Sequence, residues 1–111
     1  MSDTTSVLAE LMKVIENRRA NFPAGSYTTQ LLEGGVDKIG AKIEEEAREV
    51  VLAAAEPGAE GRAHFIHEAA DLIYHLWVMM GHKAVTLADV EFELARRFGI
   101  SGIDEKAARA E

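Results

Sequence analysis

Apolar residues recur along the chain at the three- and four-residue spacing of amphipathic helices. The pattern predicts a first helix over residues 3–20, with an apolar face made of Val7, Leu8, Leu11, Val14 and Ile15. A short helix is predicted over residues 27–33, where Ser26 can cap the amino end and Gly34 and Gly35 can stop the helix. No segment shows the strict alternation expected of a half-buried β-strand.

Two longer helices are predicted over residues 36–56 and 60–81. The Pro57-Gly58 pair between them marks a tight turn, so the two helices should pack as antiparallel neighbours. At 100° per residue, one apolar stripe on the first of them spans about 60° of arc and contains Ile39, Ile43, Val50 and Ala54.

The rest of the chain predicts two shorter helices. Thr86 and Asp89 have the spacing of a capping box for a helix that ends at Gly99. Ser101 can cap a last helix that runs through Arg109. The predicted fold class is all-α, a helical bundle built on the long antiparallel hairpin. The hairpin exposes more apolar surface than the short helices can cover, so we expect a homodimer or a higher homo-oligomer.

Composition and charge narrow the function. The chain has 111 residues and is expected to form a single domain over 1–111. Its net charge of -7 argues against a nucleic-acid partner, which would need a basic surface. With no cysteine, the chain has no disulfide, catalytic thiol or thiolate zinc site. No apolar targeting segment follows Met1 and no run is long enough to span a bilayer, so we expect a cytoplasmic protein with no membrane contact.

A carboxylate lies where a core residue is expected. Glu46 falls in the middle of the apolar stripe of helix 36–56, and Lys42 and Glu49 flank that stripe. The alternative is that Glu44 to Glu46 form an ordinary solvated helix face, because Glu is seldom buried. The position of Glu46 within the stripe favours a functional carboxylate.

The facing helix carries a second acidic pair. Steps of four, three and four residues place one polar line beside its apolar surface, made of His64, Glu68, Asp71 and His75. Carboxylates brought together from two packed helices need protons or a cation, and oxygen ligands suit Mg²⁺, with Mn²⁺ as the second choice. The zinc-protease motif is excluded because it requires histidine at position 71. We interpret His75 as a bundle histidine that orients a carboxylate.

Together these carboxylates resemble a known signature. The string Glu45-Glu46-x-x-Glu49, followed by Glu68-x-x-Asp71, is similar to that of the all-α, MazG-like nucleotide pyrophosphohydrolases. From residue 6 to 109 the chain further resembles the phosphoribosyl-ATP pyrophosphatase family, through Ser26-Tyr27-Thr28, Asp37-Lys38-Ile39, Lys42, Tyr74-His75, Arg96-Arg97, Ser101-Gly102 and Glu105-Lys106.

The resemblance implies a reaction and a set of roles. The reaction is Mg²⁺-dependent hydrolysis of phosphoribosyl-ATP to phosphoribosyl-AMP and pyrophosphate, the second step of histidine biosynthesis. Carried over by position, the metal ligands are Glu46, Glu49, Glu68 and Asp71. Glu45 is implied as a group that orients the attacking water, or as its base.

A polyphosphate substrate also needs cations and N–H donors. The candidate cations are Lys38, Lys42, Arg97, Lys106 and Arg109. The alternative for each of them, which is favoured when that residue is taken alone, is an ordinary surface charge, because Lys and Arg are mostly exposed. Backbone N–H groups at Ser101 and Gly102 could bind a phosphate or form a plain helix cap. The hydroxyl-bearing Ser26, Tyr27 and Thr28 leave the same two alternatives.

Two other functions compete with this one. A housecleaning pyrophosphohydrolase acting on free nucleoside triphosphates would share the carboxylates, but the segment from Ser101 to Arg109 favours the biosynthetic enzyme. A non-catalytic helical dimerisation module would have exposed, replaceable Glu46 and Asp71, and it leaves the acidic residue in the apolar stripe unexplained.

Overall fold

A computed structural model describes residues 6–98, which form four helices and contain no β-strand. The helices are α1 (Val7–Asn21), α2 (Tyr27–Ala54), α3 (Gly58–His82) and α4 (Leu87–Arg97). The all-α prediction is confirmed. The last predicted helix, Ser101 to Arg109, lies outside the described residues. None of the described helices combines the length and apolarity needed to cross a membrane.

Side-chain caps fix where three of these helices begin. The hydroxyl of Ser6 accepts a hydrogen bond from the Ala9 amide, and that of Ser26 accepts one from the Thr29 amide. At α4, Thr86 accepts from the Asp89 amide while the Asp89 carboxylate accepts from the Thr86 amide, so the predicted capping box is confirmed.

The predicted stop at Gly34 and Gly35 is a bend within one long element. Gly35 has φ 69° and ψ -161°, outside the helical region, and it divides α2 into a short first part and a long second part. Only glycine adopts this backbone conformation without strain, because it has no Cβ. The bend therefore separates the segment after Ser26 from the carboxylate-bearing part of α2.

The helices α2 and α3 form an antiparallel hairpin. Tyr27 at the start of α2 contacts His75 near the end of α3, and Glu56 just after α2 contacts His64 near the start of α3. The core between α1, α2 and α3 is built mainly on Ile15, Leu31, Leu32, Ile39 and Val78. The helix α4 has no buried residue.

One core position was predicted wrongly. The stripe on α2 placed Ala54 inside, but the structure buries Ala53 and exposes Ala54. The buried Gly61 approaches the backbone of Glu56 so closely that a Cβ there would collide with it. Helical periodicity alone cannot show this contact between Gly61 and Glu56. Beside it, the end of α2 buries Ala53 instead of the predicted Ala54.

Candidate active site

Carboxylates of α2 and α3 face one another across the hairpin. Ligand atoms of Glu49, His64 and Glu68 all lie within 4.8 Å of one another, and so do those of His67, Glu68 and Asp71. The two groups adjoin because Glu68 belongs to both. Three of the four carboxylates predicted to bind metal are therefore brought together from two helices.

The fourth carboxylate, Glu46, lies at the buried side of this arrangement. Its residue is only 7% exposed, and its Oε1 atom is 3.6 Å from Nδ1 of His75. Burial raises the pKa of Glu46, and the negative charges of Asp71 and Glu68 raise it further. We refer to Glu46, Glu49, Glu68 and Asp71 as the acidic centre.

The chemistry of the acidic centre fits a divalent cation. A buried carboxylate close to other carboxylates is unfavourable unless a proton or a positive charge compensates it. Oxygen donors arranged on facing helices are suited to hard divalent ions. The structure thus provides an acidic site with the donor groups for a divalent metal ion.

Lys42 and Glu45 lie at the border of the acidic centre. Nζ of Lys42 is 3.5 Å from Oε1 of Glu45, whose side chain is 59% exposed. The charge that Tyr27 acquires on ionisation, followed by that of Glu45, raises the pKa of Lys42. A cation and an accessible carboxylate therefore lie next to the acidic centre.

The segment Ser26 to Thr28 is attached to α3 beside the acidic centre. The hydroxyl of Tyr27 is 3.1 Å from Nε2 of His75, and the Tyr27 ring stacks on that of Tyr74 with centroids 6.2 Å apart. Thr28 Oγ1 forms a hydrogen bond with the Tyr74 hydroxyl. Burial raises the pKa of Tyr27. The capping role of Ser26 is confirmed, and the role of the three hydroxyls in substrate binding stays a prediction.

His75 connects this segment to the acidic centre. It is buried, its Nδ1 is 2.9 Å from the backbone oxygen of Asp71, and its Nε2 faces Tyr27. Because Nδ1 lies beside a carbonyl oxygen, that nitrogen carries a proton, and Nε2 accepts the hydrogen bond from Tyr27 in the neutral ring. The imidazole is therefore held in one orientation, with both nitrogens occupied.

Comparisons with known proteins match this arrangement to a family. The model of the phosphoribosyl-ATP pyrophosphohydrolase family matches residues 8–98. The chain is 50% identical to the phosphoribosyl-ATP pyrophosphatase of Rhodopirellula baltica over 109 residues, which cover 98% of this chain and 91% of that protein. The chain belongs to the phosphoribosyl-ATP pyrophosphohydrolase family.

Two further phosphoribosyl-ATP pyrophosphatases align with the chain from end to end. The protein of Geobacter sulfurreducens is 43% identical and that of Trichlorobacter lovleyi is 46% identical, and in both cases the alignment covers 100% of each chain. The family predicted from the carboxylate string and its neighbouring motifs is confirmed.

Other predicted site residues of this family member are not brought to the acidic centre by the described contacts. Lys38 is exposed and lies over Gly34 on its own helix. The Nε atom of Arg97 is 2.9 Å from Oε2 of Glu93, which occupies its guanidinium on α4. The remaining candidates lie outside the described residues: Ser101, Gly102, Lys106 and Arg109.

Two histidines of α3 lie closer to the carboxylates than the sequence pattern predicts. The sequence predicts for His64 only a place on the polar line of α3 and predicts no role for His67, yet each lies within a potential metal-binding group. The signal for His64 was its position four residues before Glu68, on the same helix face. The contact between His64 and Glu56 crosses the turn, and periodicity within one helix does not reveal it.

Proposed function

We propose that this member of the phosphoribosyl-ATP pyrophosphohydrolase family hydrolyses phosphoribosyl-ATP to phosphoribosyl-AMP and pyrophosphate, the second step of L-histidine biosynthesis. The observation that carries the proposal is the acidic centre on facing helices, in a chain that aligns over its whole length with proteins named for this activity. A non-catalytic module would have no need of a buried Glu46.

The cofactor is Mg²⁺, with Mn²⁺ as the alternative, held by Glu46, Glu49, Glu68 and Asp71. When bound, such an ion neutralises phosphate charge and favours attack by water. The four side chains supply the negative charge that retains it, and their placement on two packed helices keeps them fixed in position.

Other residues hold the substrate and move a proton. The exposed Glu45 orients the attacking water and accepts its proton as the oxygen–phosphorus bond forms at the α-phosphorus. The bond from that phosphorus to the pyrophosphate oxygen breaks in line, and pyrophosphate leaves. Lys42, 3.5 Å from Glu45, pairs with the polyphosphate at the border of the acidic centre.

The rest of the substrate is bound by two further sets of groups. The hydroxyls of Ser26, Tyr27 and Thr28 bind the substrate on one side, in a segment that Tyr27 and Thr28 join to α3. The phosphoribosyl group is held by Lys38, by Arg97 and by the residues that follow α4, namely Ser101, Gly102, Lys106 and Arg109. The enzyme acts in the cytoplasm as a homodimer.

The test measures pyrophosphate release from phosphoribosyl-ATP, ATP and dCTP, each with and without Mg²⁺. We expect Mg²⁺-dependent release from phosphoribosyl-ATP that is lost in Glu49→Ala and retained in Glu44→Ala. Glu44 is a matched control because it is an exposed glutamate on the same helix and belongs to neither potential metal-binding group. Release from free nucleotides alone would support the housecleaning function, and no release would overturn both enzymatic functions.

A further inference from the structure

His64 lies between two carboxylates at the end of the hairpin that is closed by the turn. Its Nδ1 is 3.0 Å from both carboxylate oxygens of Glu56, and its Nε2 is 3.1 Å from Oε2 of Glu68. The Glu68 side chain is only 12% exposed, whereas that of Glu56 is 47% exposed. The imidazole ring therefore connects the exposed carboxylate of Glu56 with the carboxylate of Glu68, which belongs to the acidic centre.

This arrangement is that of a metal-binding histidine backed by a carboxylate. A histidine that ligates a metal usually donates its other ring N–H to a carboxylate or carbonyl, which fixes the ring and makes the ligating nitrogen more basic. Glu56 occupies Nδ1 of His64 in this way. The remaining Nε2 faces Glu68, and the potential metal-binding group that contains His64 also includes Glu49 from the other helix.

The other histidines near the acidic centre are less suited to ligation. Both ring nitrogens of His75 are occupied, by Tyr27 and by the backbone of Asp71. The side chain of His67 is 70% exposed, and its potential metal-binding group contains residues of α3 alone. His64 is the histidine whose potential ligand group spans both helices.

We propose that His64 is a nitrogen ligand of the ion held by Glu49 and Glu68, with Glu56 as the residue that orients it. The inference rests on the proposed function, because it concerns the same ion. Imidazole nitrogen prefers borderline transition ions over Mg²⁺, which takes oxygen ligands. A nitrogen ligand from His64 therefore strengthens the binding of Mn²⁺ and Co²⁺ at this site more than the binding of Mg²⁺.

The test uses the full chain after removal of metal with a chelator. Mn²⁺ is added and pulsed electron paramagnetic resonance records whether a ¹⁴N nucleus is coupled to the ion. We expect coupling from a directly bound nitrogen in the unmodified protein and in His67→Gln and His82→Gln, and its loss in His64→Gln. Calorimetric titration should show Mn²⁺ affinity reduced about 10- to 100-fold in Glu56→Ala, the range seen when an orienting carboxylate is removed.

The outcomes separate this inference from the function on which it rests. Mn²⁺ that binds through Glu49 and Glu68 could show no ¹⁴N coupling, or a coupling that persists in His64→Gln. Either result would overturn ligation by His64 and leave the carboxylate site supported. If Glu49→Ala binds Mn²⁺ as tightly as the unmodified chain, the acidic centre is not the metal site, and both proposals are overturned.

Discussion

At the scale of single residues, the role proposed for Glu46 comes at the expense of stability. Its burial beside Asp71 and Glu68 raises its pKa, so ionised Glu46 destabilises the metal-free fold. We expect Glu46→Gln to raise the free energy of unfolding of the metal-free protein by about 0.5–2 kcal/mol, the range of single stabilising substitutions, because it removes a buried charge beside two other carboxylates. Phosphoribosyl-ATP hydrolysis should be lost. Urea unfolding with chelator present measures the first effect.

The control for this experiment is Glu44→Gln, which changes an exposed glutamate two residues away. It should leave both stability and activity close to those of the unmodified chain, because surface substitutions away from special features have small effects. A less stable Glu46→Gln protein would show that the carboxylate is satisfied within the protein and needs no cation.

Tyr27 provides the hydrogen bond on which the orientation of His75 depends. Replacing Tyr27 by Phe keeps the ring but leaves Nε2 of the buried His75 without its partner, at a cost of about 1–3 kcal/mol in unfolding free energy. Denaturant unfolding measures this loss. In a His75→Leu background the same substitution should cost less than about 0.5 kcal/mol, because no ring nitrogen remains to be satisfied. Equal losses in both backgrounds would contradict the coupling.

The sequence predicts which face of a helix a residue of the candidate site lies on better than it predicts the contacts of that residue. The burial of Glu46 could be predicted because a charge that interrupts an apolar stripe is visible in one helix. The contacts of His75 with Tyr27 and of His64 with Glu56 depend on how two helices are placed side by side. Such pairings cannot be obtained from periodicity, which gives the face of a residue but not its partner on the next helix.

At the scale of elements, the bend in α2 depends on Gly35. A side chain at φ 69° and ψ -161° is strained, so Gly35→Ala should lower the free energy of unfolding by about 1–3 kcal/mol. Gly40→Ala is the matched control. It lies in the helical part of α2, where an added Cβ would meet Met79 at an ordinary 3.9 Å.

Gly40→Ala should be neutral or stabilising by about 0.4–1 kcal/mol, because alanine restricts the unfolded chain. Thermal and denaturant unfolding of the two variants give the comparison. If Gly35→Ala were as stable as Gly40→Ala, the first part of α2 would run into the second without a bend.

The short helix α4 contains a pH-dependent contact. Hydrogen bonds from Arg96 and Arg97 lower the pKa of Glu93 to about 2. The folded pKa is below the ordinary 4.5, so the stabilisation of α4 is complete above about pH 4.5 and declines as the pH falls toward 2. The ¹³C shift of the Glu93 carboxyl should therefore show the ionised form down to about pH 3.

Glu93→Gln is the control for this contact. The stability difference between it and the unmodified chain should shrink as the pH is lowered through the same interval, because both side chains are then uncharged. A carboxyl titration centred near 4.5 in the folded protein would contradict the hydrogen-bonded arrangement.

At the scale of the whole molecule, α3 exposes an apolar stripe that another copy would cover. Phe65, Ala69, Leu72 and Leu76 lie on one helix face, with Phe65 39% and Leu76 42% exposed. If this face forms the proposed homodimer, light scattering should give a mass of twice 12.1 kDa. Leu76→Glu should shift the mass toward one chain, whereas Gln30→Glu, at an exposed polar position of α2, should not. A single-chain mass for the unmodified protein would overturn the dimer.

Most of the fold was accessible from sequence because its signals are local. Serine and threonine caps, glycine breaks and the Pro57 turn each act within a few residues, so the helix starts were predicted to within a few positions. The limit of such local signals is seen at the end of α2, where the structure buries Ala53 although the sequence predicts Ala54. Which face a helix buries at its end depends on the segment that packs against it. At the end of α2 that segment includes Gly61, which closely approaches Glu56.

The segment from Ser26 to Thr28 is attached to α3, and this attachment also constrains how genes of this kind can be recombined. Tyr27 and His75 are 48 positions apart, and Thr28 and Tyr74 are 46 apart, yet each pair forms one contact. A crossover anywhere between residues 28 and 74 would take the two halves of both contacts from different parents. Chimeras that join this chain to a distant homologue should therefore tolerate crossovers after residue 75 better than crossovers inside the hairpin.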